Sequence, residues 1–67
     1  MAVNYDKLRK LLIDKKMLKK DLEKEAGLSK HTMLCIARNE HISTESIGKI
    51  CKTLNCTFEE IAEFTAD

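Results

Sequence analysis

The sequence contains no proline and no tryptophan, and it has only two glycines among its 67 residues. Proline and glycine interrupt helices, so their scarcity favours a helical chain. No apolar run approaches the roughly 20 residues that a membrane-spanning helix needs, and the N-terminus lacks the apolar core of a signal peptide. We therefore expect an all-α protein that is cytoplasmic and makes no membrane contact.

Cysteine is present in an odd number, three, and nothing in the sequence indicates secretion. We expect reduced thiols, since an odd number does not form a disulfide framework. The cysteines and histidines do not make the two close ligand pairs of a zinc site, which predicts no metal and no cofactor. Paired carboxylates, a nucleophile with its base and a glycine-rich phosphate loop are also missing, so we expect no catalytic residues and no enzyme activity.

Charge is unevenly distributed along the chain, although the net charge is only +1. Residues 1–38 carry ten basic against five acidic residues, whereas residues 39–67 carry two against six. A basic N-terminal part is suited to phosphates, and an acidic C-terminal part is suited to facing away from DNA or toward a partner. The alternative is that individual lysines only solvate the outer faces of helices.

The length of 67 residues predicts one domain, residues 1–67, with no second domain for a small-molecule effector. Apolar residues recur at three- and four-residue steps in five segments, which predicts a compact five-helix bundle. The predicted helices run from Tyr5 to about Lys16, Lys19 to Ala26, Lys30 to Arg38, Thr44 to Leu54 and Phe58 to Phe64.

Capping residues mark the helix ends. Gly27 and Asn39 tolerate a left-handed backbone and are predicted to close the second and third helices, and Asn55 the fourth. Ser29 and Ser43 offer hydroxyls to the free amides at the starts of the third and fourth helices. Asn4 is predicted to cap the first helix, and Thr57 with Glu60 forms a capping box before the fifth.

The stretch LKKDLEKEAGLSKHTMLCIARN, residues 18–39, places two short helices around one glycine, which is typical of a helix-turn-helix. Together with YDKLRKLLIDKK before it and ISTESIGKICKTLNCTFEEI after it, the chain resembles the DNA-binding domain of Cro/CI-type (XRE-like) repressors over residues 5–64. The resemblance implies a lambda-repressor-like fold with helices two and three as the helix-turn-helix. It also implies that helix three enters the major groove while the starts of helices two and four hold the DNA backbone.

Two positions depart from that family pattern. Ala37 stands where many members have a glutamate that pairs with an arginine on the first helix, and Leu12 is interpreted as its counterpart here. An apolar Leu12 against Ala37 is a consistent replacement, because well-packed apolar groups often replace a buried ion pair. Glu23 stands where the family has a small residue beside the turn, and its charge must reach water.

If helix three lies in the major groove, its first turn and outward face read the bases. We expect base contacts from five residues: Lys30, His31, Thr32, Leu34 and Cys35. Lys30 can donate to guanine, and His31 can donate or accept according to its tautomer. Leu34 and Cys35 offer only apolar contact to thymine methyl groups, or lie in an interface instead, so we expect modest specificity. For His31 the alternative is an ordinary exposed helix residue.

Phosphate contacts are expected where helix starts offer amides or where cations flank them. The candidates are Lys19, Lys20, Ser29, Arg38, Ser43 and Thr44.

One small domain makes few base contacts, and the resemblance implies a homodimer on a two-fold site. We expect the dimer surface on the fifth helix and the loop before it, at Phe58, Ile61 and Phe64. The alternative for Ile61 is that it completes the core.

The sequence predicts one function and leaves one alternative. The first is double-stranded DNA binding by a small Cro-like transcriptional regulator, a repressor. The second is a protein-interaction module, an antitoxin-like or anti-repressor partner that keeps the fold with weak or no DNA binding. The near-neutral isoelectric point of 7.7 and the apolar Leu34 and Cys35 favour the second, since a fold alone does not establish a function.

Overall fold

A computed structural model describes residues 2–66. In chain order the elements are β1 (Ala2–Asn4), α1 (Asp6–Asp14), α2 (Lys19–Ala26), α3 (Lys30–Ala37), α4 (Thr44–Leu54), a 3-10 turn (Phe58–Glu60) and β2 (Glu63–Thr65). The predicted bounds of α2 and α4 are confirmed, and α3 ends one residue earlier than predicted. The predicted domain also includes Met1 and Asp67, which lie outside the described residues.

Left-handed residues end three of the helices, as predicted. Gly27 has φ 67° after α2, Asn39 has φ 55° just beyond α3, and Asn55 has φ 52° after α4. A fourth such residue, Lys16 with φ 57°, ends α1 earlier than the sequence predicts. This backbone conformation is costly for a residue other than Gly or Asn. It lets the Lys16 amide donate to the Ile13 carbonyl at 3.0 Å and the Met17 amide to the Leu12 carbonyl at 2.9 Å, which closes the helix end.

The start of α1 differs in detail from the prediction. The helix begins at Asp6, and Tyr5 is the residue at the cap position. The Asn4 side chain still serves the helix, because its Oδ1 accepts a hydrogen bond of 2.8 Å from the Asp6 amide. Tyr5 itself is buried, with 1% of its surface exposed, which draws the chain into the core before α1 begins.

The predicted fifth helix is wrong. The capping box forms, with the Thr57 amide 3.3 Å from Glu60 Oε1, but it opens only the 3-10 turn. The chain then extends into β2, which pairs antiparallel with β1 so that Val3 lies opposite Phe64. The Ile61 carbonyl accepts a hydrogen bond from the Leu8 amide in α1. These partners take up the backbone groups that a continuing helix needs, so residues 2–66 form four helices and a small sheet rather than an all-α bundle.

The core lies between the four helices and the sheet. Its members are apolar or aromatic, and no charged or polar side chain of the described residues is buried with them. The cluster consists of Val3, Tyr5, Leu8, Leu12, Leu22, Ala26, Leu28, Ile36, Ile50, Leu54, Ile61 and Ala62. Since β1, α1, α2, α3, α4 and the chain after the 3-10 turn all contribute, the helix-turn-helix is held by the whole chain.

Candidate nucleic-acid interface

The turn between α2 and α3 has a fixed geometry. After Gly27 the chain buries Leu28, which is 8% exposed, and then presents Ser29 in an extended conformation. Ser29 Oγ accepts a hydrogen bond of 3.1 Å from the Thr32 amide, and its hydroxyl donates to Thr32 Oγ1 at 3.0 Å. This cap fixes where α3 starts, which confirms the predicted role of Ser29 as an N-cap.

The first turn of α3 carries its polar groups on the surface. Lys30 and His31 are exposed, and Thr32 is half-buried because its hydroxyl takes part in the cap. One turn further, Leu34 is 45% exposed and is one of the few large apolar side chains left in contact with water. The start of α3 therefore offers an ammonium group, an imidazole and an apolar side chain to a ligand.

Cys35 is a correction, because it does not lie on the outward face. Its side chain is 7% exposed, and Cys35 Sγ lies 3.7 Å from His31 Nε2. The thiol is close to Tyr5, whose pKa is raised above 10.0 mainly by burial and further by Cys35. Since Cys35 is nearly as buried as its core neighbour Ile36, which is 4% exposed, it is too buried to reach a base.

The start of α2 combines two lysines with an internal cap. Lys19 and Lys20 are exposed, as expected of phosphate-binding side chains. Asp21 Oδ2 accepts a hydrogen bond of 3.0 Å from the Leu18 amide, so one of the free amides at this helix start is already satisfied. The remaining amides and the two ammonium groups give this helix end its capacity for anions.

The start of α4 repeats the arrangement seen at α3. Ser43 Oγ accepts a hydrogen bond of 3.1 Å from the Ser46 amide and donates to the Ser46 hydroxyl at 3.0 Å. Ser43 and Thr44 are both exposed. Arg38, the remaining predicted phosphate contact, is exposed directly after α3.

Arg9 is the residue that the sequence analysis missed. Its Nη2 donates to the carbonyls of Ile36 at 2.9 Å and Ala37 at 3.3 Å, and to Asn39 Oδ1 at 3.2 Å. A guanidinium at this place stabilises the C-terminal end of α3, where free carbonyls and the helix dipole favour a cation. The pairing of Leu12 with Ala37 is wrong, because Ala37 is exposed and Arg9 is the side chain that meets this end of α3.

Tyr5 completes this anchor. Its hydroxyl donates to the Glu40 carbonyl at 2.7 Å, and its amide donates to Asn39 Oδ1 at 3.1 Å. With Arg9, these bonds fix the far end of α3 to the beginning of α1, while the Ser29 cap fixes its start. Asn39 is the residue in the sequence that points to this anchor. Its left-handed backbone follows from its residue type, and its side-chain oxygen also accepts the hydrogen bonds from Tyr5 and Arg9.

The predicted dimer residues are separated by the structure. Ile61 is 0% exposed and completes the core, so it is not available to a partner. Phe58 is half-buried, whereas Phe64 on β2 is 54% exposed. Phe64 lies against the Phe58 ring at 5.7 Å and the His41 ring at 6.2 Å between centroids. Phe58, Phe64 and His41 thus form a partly exposed aromatic patch on the 3-10 turn, β2 and a loop, and not on a fifth helix.

Residues 2–66 contain no group of three or more His, Cys, Asp or Glu side chains that could hold a metal ion, and none of the helices they form is long and apolar enough to cross a membrane. The pKa of the Cys56 thiol is raised by burial and by Cys51, which keeps it protonated. A groove of about 620 Å³ is lined by Lys19 and Lys20 together with apolar side chains such as Ile13 and Leu18.

Comparison with known proteins agrees with this geometry. The sequence profile of the Cro/C1-type HTH DNA-binding domain matches residues 7–67. The crystal structure of the transcriptional regulator VanUg superimposes with a TM-score of 0.95 at 41% sequence identity, over 98% of this chain and 88% of that chain. No protein among the curated sequences matches the chain significantly. The matching profile, the shared fold and the capped helix-turn-helix show that this chain belongs to the Cro/C1-type helix-turn-helix DNA-binding family.

Proposed function

We propose that this protein is a sequence-specific regulator of transcription that reads duplex DNA with α3 in the major groove. The observation that carries the proposal is the start of α3, where the Ser29 cap holds exposed Lys30 and His31 at the beginning of a helix anchored at both ends. In a helix-turn-helix, the N-terminal residues of the second helix contact base edges.

The exposed residues of α3 define the expected base contacts. Lys30 donates to O6 or N7 of guanine, and His31 contacts a second base. Thr32 contacts a thymine methyl group or a phosphate, and Leu34 packs against a thymine methyl group. Because Cys35 is buried, recognition of the bases by hydrogen bonds depends on Lys30 and His31. Two such residues support modest specificity.

Backbone contacts fix the orientation of α3 on the duplex. We assign them to the exposed cations and to the helix starts on either side of the reading helix. They are Lys19, Lys20, Ser29, Arg38, Ser43 and Thr44. The charge distribution supports this assignment, because the basic excess falls in residues 1–38, which include α2 and α3.

We propose that two copies bind together on a two-fold site, with the exposed Phe64 and the adjacent Phe58 at the contact. An aromatic side chain that is 54% exposed gains from being covered, and β2 exposes the outer edge of a two-stranded sheet. A dimer doubles the number of base contacts. Binding at an operator would exclude other proteins from that DNA, which makes repression the expected output.

A second candidate function is a protein-interaction module without DNA binding. It is favoured by one observation: the outward face of α3 exposes the apolar Leu34 beside only a few polar groups. An interaction module would show no salt-dependent affinity for DNA.

The test is fluorescence anisotropy with a duplex selected from random sequence by the wild-type protein. The double variant Lys30→Ala, His31→Ala is expected to lose about 1 to 3 kcal/mol for each base contact removed. Lys52→Ala, which removes an exposed lysine at the end of α4, serves as the matched control and is expected to keep wild-type affinity. Wild-type affinity and base preference in the double variant would refute α3 as the reader.

A further inference from the structure

His31 and Cys35 lie four residues apart on α3, and their side chains meet. The distance from His31 Nε2 to Cys35 Sγ is 3.7 Å, within range of a hydrogen bond that involves sulfur. Cys35 is 7% exposed, whereas His31 is exposed. A buried thiol therefore contacts one nitrogen of an imidazole that reaches the surface of the helix we assign to base reading.

The direction of this bond follows from the chemistry of the two groups. In a neutral imidazole one nitrogen carries the hydrogen and the other accepts, and a hydrogen bond to one nitrogen decides which. Sulfur is a weak acceptor, whereas an imidazole nitrogen is a good one. This difference favours the arrangement in which the Cys35 thiol donates to His31 Nε2 and the imidazole hydrogen lies on Nδ1.

The other ring nitrogen is left for a ligand. Among residues 2–66, the His31 ring forms one hydrogen bond, the contact with Cys35. In that arrangement Nδ1 carries the hydrogen, and no residue among 2–66 forms a hydrogen bond with it. Because His31 is an exposed residue, this N–H can donate to acceptors on a base edge and cannot accept from donors.

We propose that Cys35 is a positioning residue that fixes His31 as a donor at Nδ1, so that His31 selects a base with a major-groove acceptor, such as guanine, over cytosine. This inference rests on the proposed function, since it names the chemistry by which one α3 residue chooses its base. Cys35 itself touches no base. It acts through the orientation and the tautomer of the imidazole.

The first experiment needs no DNA. The ¹⁵N chemical shifts of the neutral His31 imidazole distinguish the tautomer with hydrogen on Nδ1 from the tautomer with hydrogen on Nε2. Wild type and Cys35→Ser, which retains a donor, are expected to show hydrogen on Nδ1. Cys35→Ala is expected to lose that preference, and Cys51→Ala, a half-buried thiol on α4, serves as the control that leaves it unchanged. Hydrogen on Nε2 in the wild type would overturn the proposal.

The second experiment first identifies the base pair at which the His31→Ala variant no longer discriminates between bases. It then compares the affinities of two duplexes that carry guanine or cytosine at that position. Cys35→Ala is expected to reduce the guanine-to-cytosine affinity ratio about fivefold, the effect of one lost hydrogen bond, while Cys35→Ser retains it. In the His31→Ala background, Cys35→Ala is expected to leave the ratio unchanged, because the two residues act as one unit.

Failure of the role of Cys35 and failure of the proposed function give different results. An unchanged ratio in folded Cys35→Ala overturns the role of Cys35. If Cys35→Ala does not fold, Cys35→Val, which fills the space without a donor, is expected to show the same loss, and an unchanged ratio there overturns the proposal equally. If wild type binds no duplex at all, the proposed function fails, while the tautomer measurement still decides whether Cys35 sets the His31 donor.

Discussion

Replacing Arg9 by methionine tests how the far end of α3 is held. Met keeps an apolar stem of similar length but removes the guanidinium of a side chain that is 27% exposed. The lost interactions are the contacts from Nη2 to the Ile36 and Ala37 carbonyls and to Asn39 Oδ1, and the ion pair with Asp6 at 2.6 Å.

The expected loss of stability can be worked from these contacts. Nη2 carries two hydrogens, so its three contacts amount to two bonds, one of them shared. Charge-assisted bonds contribute about 1.5 kcal/mol or more each, reduced here to about 1 because the group is partly exposed. The interaction with the α3 dipole adds about 0.5 kcal/mol. The Asp6 pair adds little, because the Asp6 side chain is 73% exposed. The expected loss is about 2.5 kcal/mol.

Thermal and urea unfolding followed by circular dichroism measure this loss. For a chain of this size about 2.5 kcal/mol corresponds to a fall in Tm of about 10 to 20 °C. Asp6→Asn, which removes only the exposed ion pair, is the control and is expected to cost under about 1 kcal/mol. If Arg9→Met costs no more than Asp6→Asn, Arg9 does not anchor α3 and the reasoning is refuted.

Three further predictions concern phosphate binding, pH and association. Lys19→Ala should lower the slope of log affinity against log salt by about one unit without changing base preference, whereas Lys52→Ala should leave the slope unchanged; anisotropy at several salt concentrations measures both. Because the folded pKa of Tyr5 is raised above 10.0, its contribution to stability is complete below pH 10.0 and is lost as pH rises through the folded pKa. Tyr5→Phe should therefore flatten the alkaline decline in the free energy of unfolding. The phenolate absorbance of this single tyrosine measures its pKa, and an ordinary value would contradict the prediction. Phe64→Ser should weaken dimerisation on DNA while the fold is kept, as sedimentation and circular dichroism report, and an unchanged dimer would exclude Phe64 from the contact.

Local signals in the sequence predicted most of the helical fold. The caps at Ser29 and Ser43 and the left-handed stops at Gly27 and Asn55 depend on residues within one turn of each other, so they are readable from spacing alone. The fifth helix failed because Thr57 and Glu60 do form their capping box, yet the following residues pair with β1. That pairing joins the two ends of the described chain, and no local periodicity records it.

The site was predictable in outline but not in detail. Exposure of Lys30 and His31 follows from their place directly after a cap. The burial of Cys35, which is 7% exposed, depends on how α3 packs in the folded chain and not on the residues next to it in the sequence. The role of Arg9 likewise depends on carbonyls at the end of α3, and backbone acceptors carry no sequence signature. Contacts between a side chain and a backbone group far away in the sequence therefore cannot be predicted from sequence spacing.

Binding of duplex DNA by α3 can be followed residue by residue. Amide chemical shifts of the labelled protein, recorded while a selected duplex is added, report on every element separately. We expect the largest changes from Ser29 through Leu34, with smaller ones at the starts of α2 and α4. Changes confined to the 3-10 turn and β2, with α3 unaffected, would contradict it.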